Sequence, residues 1–242
     1  MTTRTPLVTG LGGAIGSDYV QTTHQLFFVE YAGKISRFDL LRPGEPGRVE
    51  LEHFIYERFE AIHGARVTSF MPLLLGMWSG SACRAALGIR RASEGRLFLE
   101  DYLDQPAEQV IAGIRHMPVL RTTLVEIGNL VSGPGASTPL LYLLLLAVLA
   151  RAGYRWLMFV VTPEVQRGIR ALGLEIDAVC PADPGRIANV AAWGSYYAGN
   201  PQVMLGCVED GMRHCTADAH LADALIRADA SIATLASRLG AP

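Results

Sequence analysis

Two glutamates and two arginines stand where charge is costly. Glu126 and Arg121 lie in the β-like run VLRTTLVEIGNL, residues 119–130, and Glu100 and Arg91 belong to neighbouring segments. A charge within a core strand is unfavourable unless it is paired. Arg121 and Glu126 therefore need partners, and Glu100 and Arg91 are the candidates. Either Glu126 (the preferred residue) or Glu100 works as a general base, or the set forms structural ion pairs. Alternation along the strand places Arg121, Val125 and Asn129 on one side and Thr122, Leu124 and Glu126 on the other, provided no bulge intervenes.

The stretch GNLVSGPGAST, residues 128–138, follows Glu126 within two residues. A strand that ends in such a loop and feeds a helix presents free main-chain N–H groups backed by the helix dipole. Gly133 and Gly135 let a ligand approach the backbone. Asn129, Leu130 and Val131 lead into the loop, and Ser132, Ser137 and Thr138 add hydroxyls. The plainer reading is a strand-to-helix connection with Ser137 or Thr138 as N-cap and Pro139 at the first helical position. No GK[ST] follows, which argues against nucleotide hydrolysis. His214, Cys215 and His220 in HCTADAH lack the further ligands a metal would need, so no metal is expected and the stretch reads as the capped start of the last helix.

The elements that must position these groups form a mixed α/β pattern. HQLFFVEY and ISRFDL flank a glycine-containing turn and predict a β-hairpin, followed by the linker LRPGEPGR. Helical spacing runs from Val49 to Ile62 and stops at Gly64. RVTSFMPLLLGMW and CRAALGIRRA predict a second hairpin, and a helix is entered at Pro106. YRWLMFVVT and QVMLGCVED predict strands. TPEVQRGIRALGLEI predicts a helix with Thr162 as cap, Pro163 at the first position and Gly173 as the stop. ADPGRIANVAAWGSYY repeats the Asp-Pro start of a helix, and the tail from Thr216 reads as one amphipathic helix. The expected division is a β-rich extension over 1–45, a main domain over 46–208 and the tail helix over 209–242.

Half of the 242 residues are apolar and 18% are charged, so a substantial core is expected rather than disorder. A formal net charge of −2 without a basic block argues against nucleic acid. The four cysteines lack CxxC spacing and read as free thiols in a reducing compartment. The start MTTRTPLVTGLGGAIG has no apolar h-region, so a cytoplasmic location is expected. The apolar run from Pro139 to Ala150 falls short of the ~20 residues a bilayer crossing needs. It reads as a buried core helix, with membrane contact but no span as the most a lipid role would involve.

In order along residues 48–208, ALGIRRA, LFLEDYLDQPAEQVI, LRTTLVEIGNL, RWLMFVVTP, LGL and WGSYYAGNPQVMLG together resemble the thermostable hemolysin family. Its members look like relatives of the GNAT acyltransferases and the acyl-homoserine-lactone synthases. LFLEDYLD, VEIGNL and WGSYY are the specific parts. The resemblance implies a GNAT-like mixed sheet flanked by helices, extended here by the N-terminal hairpin. It implies transfer of an acyl group from acyl-CoA, or from the phosphopantetheine of an acyl carrier protein, to an amine of a small metabolite. Glu126 or Glu100 would be the base, and Tyr196 or Tyr197 would protonate the leaving thiolate, unless these tyrosines are an aromatic plug. The loop from Asn129 to Thr138 would hold the donor, and Arg91, Arg121 and Trp193 the acceptor. The family name carries a rival expectation, a membrane-active protein that releases the Pro139–Ala150 helix or the tail into lipid. A third is a non-catalytic acyl-carrier-binding module.

Overall fold

A computed structural model describes residues 27–31, 34–133 and 138–242. The predicted N-terminal hairpin is present as β1 (Phe27–Tyr31) and β2 (Lys34–Leu41), paired antiparallel. It continues the main sheet, because β2 also pairs with β3 (Leu73–Ser79), for example Phe38 with Met77. β3 and β4 (Ala82–Arg91) form the second predicted hairpin, and β4 pairs antiparallel with β5 (Leu124–Ser132). β5 runs parallel to β6 (Trp156–Val161). The far edge consists of β8 (Gln202–Cys207) and β7 (Ile176–Pro181), giving an eight-stranded sheet in the order β1-β2-β3-β4-β5-β6-β8-β7.

Helices cover both faces. On one lie α3 (Thr138–Ala152) and the tail, packed on Val125, Ile127, Leu157, Phe159 and Met204. α3 buries nearly every side chain from Leu140 to Leu149, so its apolar surface is consumed by the core. The opposite face has two smaller cores. α1 (Arg48–His63) packs on β3 and β4, and α2 (Ala107–Arg115), with the turn Phe98–Tyr102, packs on Leu124, Trp156, Met158 and Leu205. α1 ends where the spacing places its stop, with Gly64 at φ 62 and its N–H donating to the Glu60 carbonyl at 2.8 Å. α4 (Pro163–Ala171) begins with Pro163 at its N-terminus, as predicted.

Three expectations are corrected. Residues 183–199 form short turns, Pro184–Arg186, Val190–Trp193 and Tyr196–Gly199, instead of a helix. Asn189 and Gly194 adopt positive φ there, which interrupts a helix at both points. The tail is three helices, α5 (Val208–Ala217), α6 (Ala219–Arg227) and α7 (Asp229–Leu239). It breaks at Asp218, whose carboxylate accepts from the main chain of His220 and Leu221 and starts α6. Strand β5 begins at Leu124, because Arg121–Thr123 is a turn. Arg121 therefore takes no part in the strand alternation.

Candidate functional site

The site lies where the parallel strands part. Pairing between β5 and β6 runs from Leu124↔Trp156 to Ile127↔Phe159 and then ends, while β6 stays paired to β8 as far as Val161↔Gln202. The divergence has a local cause in β5. Ala86 pairs with Val131 and Gly88 with Gly128, so β5 carries an extra residue. Asn129 accommodates it at φ 49, a left-handed conformation that asparagine tolerates. Its Oδ1 accepts from the Met71 N–H at 2.8 Å and fixes the segment that covers the bulge. Gly88 is needed beneath that segment, since a Cβ there would stand 2.5 Å from the Met71 Cβ, whereas at Gly128 it would meet the flexible Met71 methyl.

A cavity of about 550 Å³ fills the gap. Its central polar group is Glu126, 2% exposed. Both carboxylate oxygens accept main-chain N–H groups, from Phe98 at 2.9 Å and Leu99 at 2.8 Å. Burial pushes this carboxyl above its ordinary value, against the opposing pull of those amides and of Arg90. Arg90 stands opposite Glu126 in the β4–β5 register, so Arg90, not the expected Arg91, is its cationic neighbour.

Glu100 has a different role from Glu126. It lies outside the cavity and accepts from the Leu97 and Ala107 N–H groups, each at 2.9 Å, and from Arg121 at 2.6 and 3.0 Å. Burial works to raise its carboxyl, but Arg121 and the two amides outweigh it and hold the group down at about 2. Arg121 also donates to Glu108 at 2.7 Å and to the carbonyls of Ala92 and Gly95. The expected Arg121–Glu100 pair is thus present. It clamps the Phe98–Tyr102 turn, and that turn supplies the amides that hold Glu126. Arg91 likewise lies away from the cavity, bonded to Glu94 and to the Leu239 carbonyl.

Aromatic rings form the wall opposite the sheet. Trp193 stacks on Phe98 at 5.8 Å and lies edge-on to Phe59 and Tyr197. His63 meets Tyr196 edge-on at 5.2 Å, and burial lowers its pKa. The Tyr196 hydroxyl donates to the Val160 carbonyl at 3.1 Å, on the stretch of β6 that has left β5. The Tyr197 hydroxyl shares a short hydrogen bond with that of Tyr102. Burial raises the pKa of both Tyr196 and Tyr197, which keeps them protonated. WGSYY is held against the end of α1. Ser195 N–H donates to the His63 carbonyl at 2.8 Å, and a Cβ on Gly194 would lie 2.0 Å from that oxygen.

Of the residues predicted for donor binding, Asn129, Leu130, Val131, Ser132 and Thr138 line the cavity. Gly133 does not, because its N–H is engaged by the Arg84 carbonyl at 2.8 Å. Gly135 and Ser137 lie outside the described residues. Among the residues foreseen for the acceptor, Trp193 lines the cavity while Arg91 and Arg121 do not. Sequence reasoning missed Arg58, Phe59, His63, Phe98, Tyr102 and Tyr142, which all line it. The i, i+4 pair Phe59 and His63 gave a weak signal for one ring-bearing helix face; Arg58 gave none. Among the described residues no group of His, Cys, Asp and Glu is arranged to hold a metal ion.

The family model for thermostable hemolysins matches residues 41–212. Among solved structures, the AHL synthase LasI aligns with a TM-score of 0.50 at 12% identity, covering 73% of this chain and 91% of LasI. TofI, in a ternary complex with an inhibitor and MTA, gives 0.49 at 14% identity over 78% of this chain and 95% of TofI. The CoA-dependent acyl-homoserine lactone synthase BjaI, with SAM and isopentyl-CoA, gives 0.48 at 10% identity over 80% and 90%. At this identity the LasI likeness establishes a shared fold and nothing more. No curated protein matches the chain.

Proposed function

The chain belongs to the thermostable hemolysin family, and we propose that it transfers an acyl group from acyl-CoA or an acyl carrier protein to the amine of a small metabolite. One observation carries this reading. The parted β5 and β6 strands open a cavity with a main-chain edge on one side, a buried carboxylate of raised pKa at its apex and an apolar chamber behind. The unpaired β5 edge beyond Ile127 offers amide and carbonyl groups to a pantetheine arm, which carries two amides of its own. Leu145, Leu146, Leu157, Phe159 and Ile169 line the chamber and suit an acyl chain. The acceptor enters along the Trp193, Phe98 and His63 wall.

In the reaction the amine nitrogen attacks the thioester carbonyl and a C–N bond forms. Glu126 takes the amine proton, and its raised pKa suits a base working near neutral pH. The C–S bond breaks, and the leaving thiolate receives a proton from Tyr197, which the Tyr102 hydroxyl orients. Tyr196, bound to Val160, closes the gap. Glu100 and Arg121 act through the turn that fixes Glu126, so the base assignment rests on Glu126 alone. The donor contact runs along β5 rather than through the Gly133 amide. A reaction that draws on acyl-CoA or a carrier protein agrees with a cytoplasmic location.

The test is incubation with a set of acyl-CoAs or a loaded carrier protein plus a mixture of amines, with N-acyl products read by mass spectrometry. Product is expected from the wild type, and Glu126→Gln is expected to lower the rate by about 10²–10⁴. Full activity of that variant would remove the base from the scheme. No product from any donor would remove the function.

A further inference from the structure

We propose that Arg58 binds the phosphate at the end of the donor's pantetheine arm, an inference that rests on the acyl-transfer reading above. Arg58 projects from α1 into the cavity wall, and its Nε–H donates to the Ser132 carbonyl at 3.1 Å. Among the described residues this is its one hydrogen-bond partner, and no carboxylate pairs with it. Among the described residues the remaining guanidinium N–H groups have no partner, and the side chain is half-buried beside the cavity at the end of β5. A guanidinium anchored at one nitrogen and open at the others is preorganised for a tetrahedral anion.

The length of the strand brings the right part of the donor to this point. Ser132 lies beyond Glu126 on β5, and the bulge at Asn129 removes one step of the rise. Five steps at ~3.3 Å leave about 17 Å between the two positions. A pantetheine arm has about thirteen bonds from sulfur to phosphorus, and extended covalent chains advance ~1.2 Å per bond, giving about 16 Å. A thioester at Glu126 therefore brings the phosphate to Ser132, where Arg58 waits. The same phosphate ends the arm in CoA and in a carrier protein.

The experiment is calorimetric titration of the full-length protein with pantetheine, 4′-phosphopantetheine, CoA and a phosphopantetheine-loaded carrier protein. Wild type is compared with Arg58→Gln, which keeps a donor for Ser132, and with Arg58→Lys, which keeps the charge. The wild type is expected to prefer phosphopantetheine over pantetheine by about ten- to a hundredfold. Arg58→Gln should erase that preference without weakening pantetheine, and Arg58→Lys should restore part of it. Arg58→Gln should weaken CoA and the loaded carrier alike, and the natural donor is then the one of the two that the wild type binds more tightly. Equal binding of phosphopantetheine by wild type and Arg58→Gln overturns the assignment, as does an equal loss for both ligands. Failure of the wild type to bind any of the four overturns the acyl-transfer reading itself.

Discussion

Replacing Arg121 with Met isolates the clamp that holds the Phe98–Tyr102 turn. The substitution keeps most of the aliphatic stem but removes the guanidinium from Glu100, which is 7% exposed, and from Glu108 and two carbonyls. Glu100 is held at about 2 against an ordinary 4.5, and at ~1.4 kcal/mol per pH unit this amounts to about 3 kcal/mol of stability at neutral pH. Because the folded value is depressed, that contribution is complete above about pH 5 and is lost as the pH falls toward 2. The Leu97 and Ala107 amides share that hold with Arg121, and since breaking a buried pair from one side typically destabilises by ~3–5 kcal/mol, a loss at the lower end of that range is expected. Urea unfolding followed by tryptophan fluorescence at pH 7, 5 and 3 reads the effect. Arg121→Met should be less stable by about 3 kcal/mol at pH 7, with the deficit shrinking at pH 3 as Glu100 takes up its proton. Adding Glu100→Gln should recover part of the loss at pH 7. A deficit of the same size at pH 7 and pH 3, or one below ~1 kcal/mol throughout, would refute the clamp.

The catalytic reading sets a pH profile: kcat/KM should rise with pH through a group titrating above the ordinary 4.5 of a glutamate, and Glu126→Gln should abolish that acid limb along with most of the rate. Tyr197→Phe should lower kcat with little change in donor affinity, whereas Tyr196→Phe leaves the Val160 carbonyl without its donor and should destabilise by about 1–3 kcal/mol in a urea titration. Gly88→Ala would drive a Cβ to 2.5 Å from the Met71 Cβ and should cost about 1–3 kcal/mol, while Gly113→Ala, in α2 with nothing within 4 Å, should gain about 0.5–1 kcal/mol. Because α3 is buried along its length and no helix among the described residues is long and apolar enough to cross a membrane, micromolar protein should release no dye from liposomes; rapid leakage would instead support the lytic role that the family name implies.

The parts of the fold legible in the sequence were those fixed by short-range pattern. β-rich and apolar runs around glycine-containing turns located both hairpins, Gly64 located the end of α1, and the leucine run of α3 read as core because it is too short for a bilayer. Half-exposed edge strand β7 has no clean alternation and went unseen. Residues 183–199 carry a helix-start signal, but two positive-φ positions, Asn189 and Gly194, override it. Within the site, a shift of one residue in register decides whether Arg90 or Arg91 faces Glu126, and no local pattern sets that register. Glu126 was identifiable because a carboxylate inside an apolar strand demands a partner. Its actual partners are the amides of Phe98 and Leu99, and main-chain donors leave no trace in residue type. The ring cluster joins α1, the Phe98–Tyr102 turn and WGSYY, which only the tertiary fold brings together.

Calorimetric titration of acyl-CoAs of increasing chain length against the wild type addresses the β5–β6 gap most directly. Acyl-CoA should bind one per chain and more tightly than CoA, with affinity rising as the chain lengthens and a negative heat-capacity change from filling the chamber behind the sheet. Absence of heat with every acyl-CoA and with an acylated carrier protein, or an affinity indifferent to the acyl chain, would contradict the account.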